Sequence, residues 1–452
     1  MSAQPMSEKV SVKGETPRKD NENATLEQQA TEDDGYPPKD GGRGAWMFLF
    51  GAAIVEVAAW AFPYTYGVFR AYLFTHPPFE GQDVISTVGV LANGMLQLAL
   101  PPVMYYLNNF PTQRKNVMWI GNIICCIAPL SGGFTTNAGA LIGTLGVLYG
   151  IGAGLLFAPS IHLLNDWFDQ RRSLAYGVIC GAGALAGAVM PPIFAVCLDN
   201  FGYRTTLIGW GLCSLVMTTI GLLCMHPRVP PTKAPKPSRK DFDFLRKPFF
   251  LIMLLATILQ AFAHYMPSIY LPSFGQDYGL TAAQGSLLST MLNLAQAIGQ
   301  PLQGQLADMR KSFYTPMLVS TLGAVATVLC IWGFAKSLWS LVLFSLAFGL
   351  TAGGMAVLRP RISSATVGDE KNNEQSMLIF SILTALRGAS ILGSGFISTS
   401  LVHNEYPVTN SWGGGRRYQD LLIFTAVLMF VASFGAGSKF ISPHTKIGKK
   451  AT

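Results

Sequence analysis

Two full charges, Glu56 and Arg387, stand inside long apolar runs of this chain. A charge in hydrocarbon is costly, so each should face protein or a water-filled cavity rather than lipid. A guanidinium matches a carboxylate in geometry, which makes Arg387 a candidate contact for an anionic cargo. Glu56 is then a candidate for proton coupling. The rival reading pairs the two charges with each other or with backbone, and the sequence does not choose between them. Around them lies a second, mostly uncharged set. Asn293, Gln296, Gln300 and Gln303 recur at i, i+3, i+7 and i+10, a single stripe of one helix. Gln260, His264, Pro267 and Ser268 fall at i, i+4, i+7 and i+8, and Glu56, Trp60, Pro63 and Tyr64 repeat that spacing. Amides in hydrocarbon must be hydrogen-bonded. They therefore either touch substrate or tie helix to helix. His264 is either structural or, by its titration range, a second proton-coupling candidate. No metal-ligand spacing, nucleophile–base set or phosphate-cradling glycine loop is present, so no cofactor is expected and an enzyme is disfavoured. The seven cysteines all fall in apolar stretches and imply no disulfide framework.

The elements that must hold these residues are apolar runs of about 20 residues, the length a bilayer demands. They fall at 45–69, 85–107, 116–135, 138–163, 173–197 and 205–225, then at 249–272, 284–307, 314–335, 338–358, 376–401 and 419–440. Half of the residues are hydrophobic and 12% are charged, against about 25% charged in soluble domains. The formal net charge of +8 is not gathered into a patch, so nucleic acid is not an expected partner. Residues 1–44 read as a disordered polar tail, 226–248 as a basic linker and 441–452 as a second tail. The expected fold is an all-α membrane protein of twelve transmembrane helices, with one six-helix half at 45–225 and another at 249–440. Of the 32 Lys and Arg residues, 26 fall on one side of this topology and five on the other. The positive-inside rule then puts both termini and the linker in the cytosol.

One loop carries a conformational signature. Gly304-Gln305-Leu306-Ala307-Asp308-Met309-Arg310-Lys311 follows the 284–307 span. Glycine permits close approach of two helix ends, and Asp308 can sit at a helix N-terminus or pair with a base, latching one state. This resembles the loop signature of the major facilitator superfamily. The matching loop of the first half, Asn108 to Lys115, keeps the basic end and lacks the aspartate. Asp40-Gly41-Gly42-Arg43-Gly44-Ala45-Trp46 resembles the approach to the first helix of the monocarboxylate porter family. Trp167-Phe168-Asp169-Gln170-Arg171-Arg172-Ser173-Leu174-Ala175-Tyr176-Gly177 is similar to that family's approach to its fifth helix, with Arg171 and Arg172 in the loop. Fungal members are further resembled by Gly202-Tyr203-Arg204-Thr205-Thr206 and Pro267-Ser268-Ile269-Tyr270-Leu271-Pro272.

The resemblance implies a secondary transporter of a small organic molecule, working by alternating access in a lipid bilayer. It also marks a departure. The lactate carriers of the family place a lysine after Ala-Phe-Pro in the first helix, where this chain has Tyr64. They place an aspartate and an arginine in the eighth, where it has Gln296 and Gln300. Lactate–proton symport by that charge set is therefore not expected. The cargo expected is a carboxylate or other weak acid, with protons as a candidate coupling ion. Export of a fungal secondary metabolite is the alternative, and a non-transporting nutrient sensor a distant one. The plasma membrane is the expected location.

Overall fold

The computed structural model describes residues 36–230, 239–368, 373–403 and 405–440. Most of the N-terminal tail, the middle of the linker and the tail from 441 lie outside the described residues.

Among the described residues every regular element is helical. Ten helices are long and apolar enough to cross a membrane. These are α1 (Gly42–Thr75), α2 (Val84–Asn109), α3 (Pro111–Phe134), α4 (Ala138–Trp167), α5 (Arg172–Cys224), α6 (Pro248–Asp277), α8 (Tyr314–Phe334), α9 (Leu338–Val367), α10 (Glu374–Gly395) and α11 (Gln419–Lys439). Between α6 and α8 lies α7 (Ala282–Met309), 28 residues long. Its amide stripe keeps it less apolar than the other ten. It opens on a reciprocal cap, in which Thr281 Oγ1 accepts from the Gln284 backbone N–H and Gln284 Oε1 accepts from that of Thr281.

At 53 residues, α5 is about twice the length a bilayer needs. Its dihedrals break at Gly202, where φ is 74° and ψ 170°. That conformation is open to glycine and closed to most side chains. The Gly202-Tyr203 step therefore turns the chain between two helical arms.

α9 runs nine residues beyond the 338–358 span read from the sequence. The helix continues through Gly353, Gly354 and Pro360 with one short irregularity. Arg359, assigned to a loop on sequence, is consequently inside the membrane-spanning bundle and buried. Losing it from the charge count leaves the bias of basic residues between the two sides intact.

One apolar core gathers α1 to α5, including Phe62, Tyr149 and Trp210. The later helices share two more, one around Trp332 and Tyr418 and one around Phe250 and Phe313. Ile123, Val216, Leu223, Leu343 and Phe430 are exposed, as lipid-facing residues must be. Glycines bring α5 and α7 into backbone contact. A Cβ at Gly177 would lie 2.7 Å from the Gln300 carbonyl oxygen, and one at Gly181 2.7 Å from that of Ala297.

Two sets of contacts define the faces. On one, called proximal here, Asp40 meets the start of α5, and Lys247 Nζ donates to the carbonyl of Thr366. On the distal face, Arg70 meets Ser86, and Arg417 pairs with Asp277.

Candidate functional site

A cavity of about 520 Å³ lies between the early and late helices and reaches exposed Arg70 and Ser286 on the distal side. Its wall is made by α1, α2, α5, α6, α7 and α10. Tyr64, His264, Asn293 and Gln296, four of the residues read from the sequence as candidate contacts, line it. Among the described residues no Asp or Glu is on the lining, and Arg70 is its one formal charge.

The amide stripe divides at mid-helix. Asn293 Nδ2 donates to the Gly187 carbonyl of α5 (3.3 Å) while facing the cavity, beside Gln296. Gln303 Nε2 donates to the carbonyls of Leu350 and Thr351 (2.9 and 2.6 Å) and ties α7 to α9. Gln300 is buried against Gly353 with Oε1 unpartnered, away from the cavity. One stripe thus faces the cavity at one end and ties helix to helix at the other. His264 stacks on Phe348 (centroids 6.1 Å, planes 20° apart), and its Nδ1 has no partner.

Arg387 stands one side chain behind the cavity wall. Its Nη1 donates to Gln97 Oε1 (3.2 Å), Gln97 Nε2 to Asn93 Oδ1 (2.9 Å), and Asn93 Nδ2 to Tyr265 Oη (3.3 Å). The guanidinium lies 5.6 Å from the centroid of the Tyr265 ring. Asn93 and Tyr265 face the cavity, so the chain of bonds leads from the lumen to a buried cation whose Nε is unpartnered. Asn93 and Gln97 were missed on sequence. The signal was there, as two amides four residues apart in an apolar run share a helix face.

Glu56 lies deeper. Its Oε1 accepts from Trp60 Nε1 (2.7 Å), and Trp60 stacks on Tyr64 (5.0 Å, 24°), which closes the cavity floor over the carboxylate. Among the described residues Glu56 and Arg387 form no ion pair. Arg359, outside the 338–358 span read from the sequence, is buried and donates to the Ala356 carbonyl, Thr384 Oγ1 and Tyr176 Oη.

On the proximal face the Asp308 carboxylate caps the start of α5, accepting from the backbone N–H of Ser173 (3.2 Å) and Leu174 (2.7 Å). Gly304 lies directly on Ser173, with no room for a side chain. The arginine that joins this latch is Arg361, whose Nη2 donates to Asp308 Oδ1 at 2.7 Å. Arg310, the loop arginine of the sequence motif, is exposed instead. Arg172 donates to Ser364 Oγ (3.1 Å), while the backbone N–H of Arg171 is held by Asp40 Oδ1 (2.8 Å). Asp40 also accepts from the N–H groups of Asp169 and Gln170, and Gly44 packs on the Trp167 ring. The two stretches that resembled porter motifs are thus the two sides of one joint. In the first half, Arg114 pairs with Asp166 (3.2 Å), an acid from the next helix rather than from its own loop. Beside it Asn108 Nδ2 donates to the Glu374 carbonyl (3.3 Å). Among the described residues no cluster of three His, Cys, Asp or Glu side chains could hold a metal.

Buried charges around a lumen, walled by membrane-spanning helices and closed at one end by a glycine–aspartate latch, define a multi-pass membrane transporter. The chain belongs to the Major Facilitator Superfamily, whose profile matches residues 45–394, and within it is monocarboxylate porter-like rather than an enzyme. It is 27% identical to monocarboxylate transporter 4 of Gallus gallus, over 75% of this chain and 73% of that one. It is 28% identical to the probable transporter MCH2 of Saccharomyces cerevisiae, over 81% and 78%. It is 23% identical to the aspyridones efflux protein apdF of Emericella nidulans, over 92% and 81%.

Proposed function

We propose that the chain is a secondary active transporter of a small organic anion, carried by alternating access through the cavity between two six-helix halves. The two arms of α5 count as separate crossings and α7 as another, which gives twelve with the ten helices already named. Both termini then lie in the cytosol, where the basic residues concentrate, and the plasma membrane is the membrane proposed. The observation that carries the anionic cargo is the cavity's charge. Its lining has arginine at the mouth and no carboxylate. Arg387 waits behind the Asn93–Tyr265 wall. Glu56, sealed beneath Trp60 and Tyr64, is the proton-coupling candidate, with His264 the second.

Export of a secondary metabolite is the reading that competes. It is favoured by Tyr64, Gln296 and Gln300, which stand where lactate carriers place their charges, and by a relative named as an efflux protein. The deciding experiment compares metabolites inside a deletion strain and in its medium. A weak acid depleted inside marks import, and a metabolite trapped inside marks export. Unchanged pools in both compartments would refute transport of a natural metabolite under those growth conditions.

A further inference from the structure

A second clasp closes the proximal face, apart from the Asp308 latch. There the proximal ends of α2 and α4 meet the start of α10. Asn108 Nδ2 in α2 donates to the Glu374 carbonyl (3.3 Å), and Asn165 Nδ2 in α4 donates to Met377 Sδ one turn further along α10 (3.1 Å). Behind Asn108 stands His162 of α4, 4% exposed, with Nε2 3.3 Å from Asn108 Oδ1. These bonds fix the tautomer of the ring. The Glu374 carbonyl can only accept, so it holds the Asn108 amide with its nitrogen towards α10 and its oxygen towards His162. That oxygen can also only accept, so Nε2 carries the ring hydrogen. Nδ1 is then a bare lone pair, buried and without a partner. It is the one place where this ring can take up a proton. The N–H formed there would be a donor without an acceptor, on a ring that has become a cation.

Resting on the alternating-access reading, we infer that His162 is a proton-binding site that releases the proximal clasp. The neutral ring steadies the amide that ties α2 to α10. A proton from water added to Nδ1 makes the closed seam costly, and opening lets water solvate the new N–H. Protonation and opening therefore favour each other, so the clasp is held at high pH and released as pH falls. Arg114 of α3 and Asp166 of α4 pair with each other at 3.2 Å, and among the described residues neither bonds the ring. Lys39, Arg228 and Glu374 are the other charged groups nearby, and α2 has no charged side chain. None of them gives Nδ1 an acceptor among the described residues. His162 is also off the cavity lining and only five residues from the proximal end of α4. It answers to the pH of the proximal compartment, whereas His264 faces the lumen.

The test needs no cargo. Nitroxides are carried on ketone-bearing residues at positions 115 and 310, exposed in α3 and just past α7, which spares the native cysteines. Distances between them are measured by double electron–electron resonance on the full chain in lipid nanodiscs. The pH runs from about 8 to about 5.5, across the range in which histidine titrates. The ratio of long to short distances should rise as pH falls, by up to about tenfold per pH unit for one proton. His162→Gln keeps an amide N–H for Asn108 and has nothing to titrate, so its ratio should not move with pH. Distances that ignore pH in wild type, or that follow it equally in His162→Gln, overturn the inference. Should His162→Gln fail to fold, wild type decides through exchange of the His162 ring C2 hydrogen, read by mass spectrometry. One pH curve shared with the distances supports the site, and two separate curves overturn it. Asp308→Ala with the same labels keeps the two readings apart. If that variant opens and wild type at low pH does not, the proton site alone falls. If neither opens, alternating access at this face falls with it.

Discussion

Arg387 and Glu56 occupy unlike settings although both are buried charges. Arg387 is wired to the lumen through Gln97, Asn93 and Tyr265, and its Nε is bare. A group so placed can be reached by a cargo that displaces one wall residue. Arg387→Ala should lower transport of an anionic cargo about tenfold or more, the effect of losing one charge-assisted contact, while the amount of protein in the membrane is unchanged. Initial uptake rate measured against surface expression checks this, and normal uptake would remove Arg387 from the site. Glu56 is sealed, so it can act on cargo only through a proton or through a change of state. Glu56→Gln should leave cargo exchange running and abolish accumulation driven by a pH gradient. Counterflow and pH-jump assays on one batch of proteoliposomes separate the two. Both charges were legible in the sequence because an ionised side chain in an apolar run has few explanations. Arg359 was not, because Gly353, Gly354 and Pro360 imitate a helix end. Neighbouring helices can satisfy a backbone that proline interrupts, which a reading of one segment cannot see.

At the scale of elements, the α5–α7 seam organises the molecule. Gly177, Gly181 and Gly304 let the two backbones touch over the proximal half, and Asn293 at Gly187 is the last bridge before the cavity opens. Asp308 finishes the seam by capping α5 and holding Arg361. Asp308→Ala removes a cap and a partly buried ion pair together. The loss is about 2 kcal/mol, which shifts the balance of states roughly thirtyfold towards opening on the proximal side. Spin labels across the proximal ends of α5 and α7 should report the longer distance in that variant, and an unchanged distribution would show that the latch does not set the state. That Asp308 could cap a helix start and pair with a base was readable from its loop, but its partner was not. The motif offered Arg310, whereas the fold brought Arg361 from 53 positions away. Sequence spacing fixes which residues share a helix face and is silent on which helices adjoin.

For the molecule as a whole, the lumen reaches the distal face while every proximal contact is made. Arg361 with Asp308, Arg172 with Ser364, Asn108 with Glu374 and Arg359 with Tyr176 all join early helices to late ones. On the alternating access and orientation proposed above, this is the outward-facing end of the cycle, and all four must break together to reach the other end. Thr290→Cys on the cavity wall should react with a charged thiol reagent added outside cells, and Ser364→Cys in the latch should not react from either side. Reaction of Ser364→Cys at the rate of an exposed thiol would contradict a closed proximal face.

The Asp40 carboxylate has a consequence beyond anchoring. It grips three consecutive amides at Asp169, Gln170 and Arg171, and the next two, at Ser173 and Leu174, belong to Asp308 after a gap of a single residue. Leash and bolt are therefore fastened to the same short strip of chain, and tension on one is felt by the other. Trimming the polypeptide up to residue 38 should leave turnover intact, whereas trimming through Asp40 should loosen the bolt and slow the cycle. A phosphate, a protease or a binding partner acting just ahead of that carboxylate would thus have a handle on how fast the carrier runs.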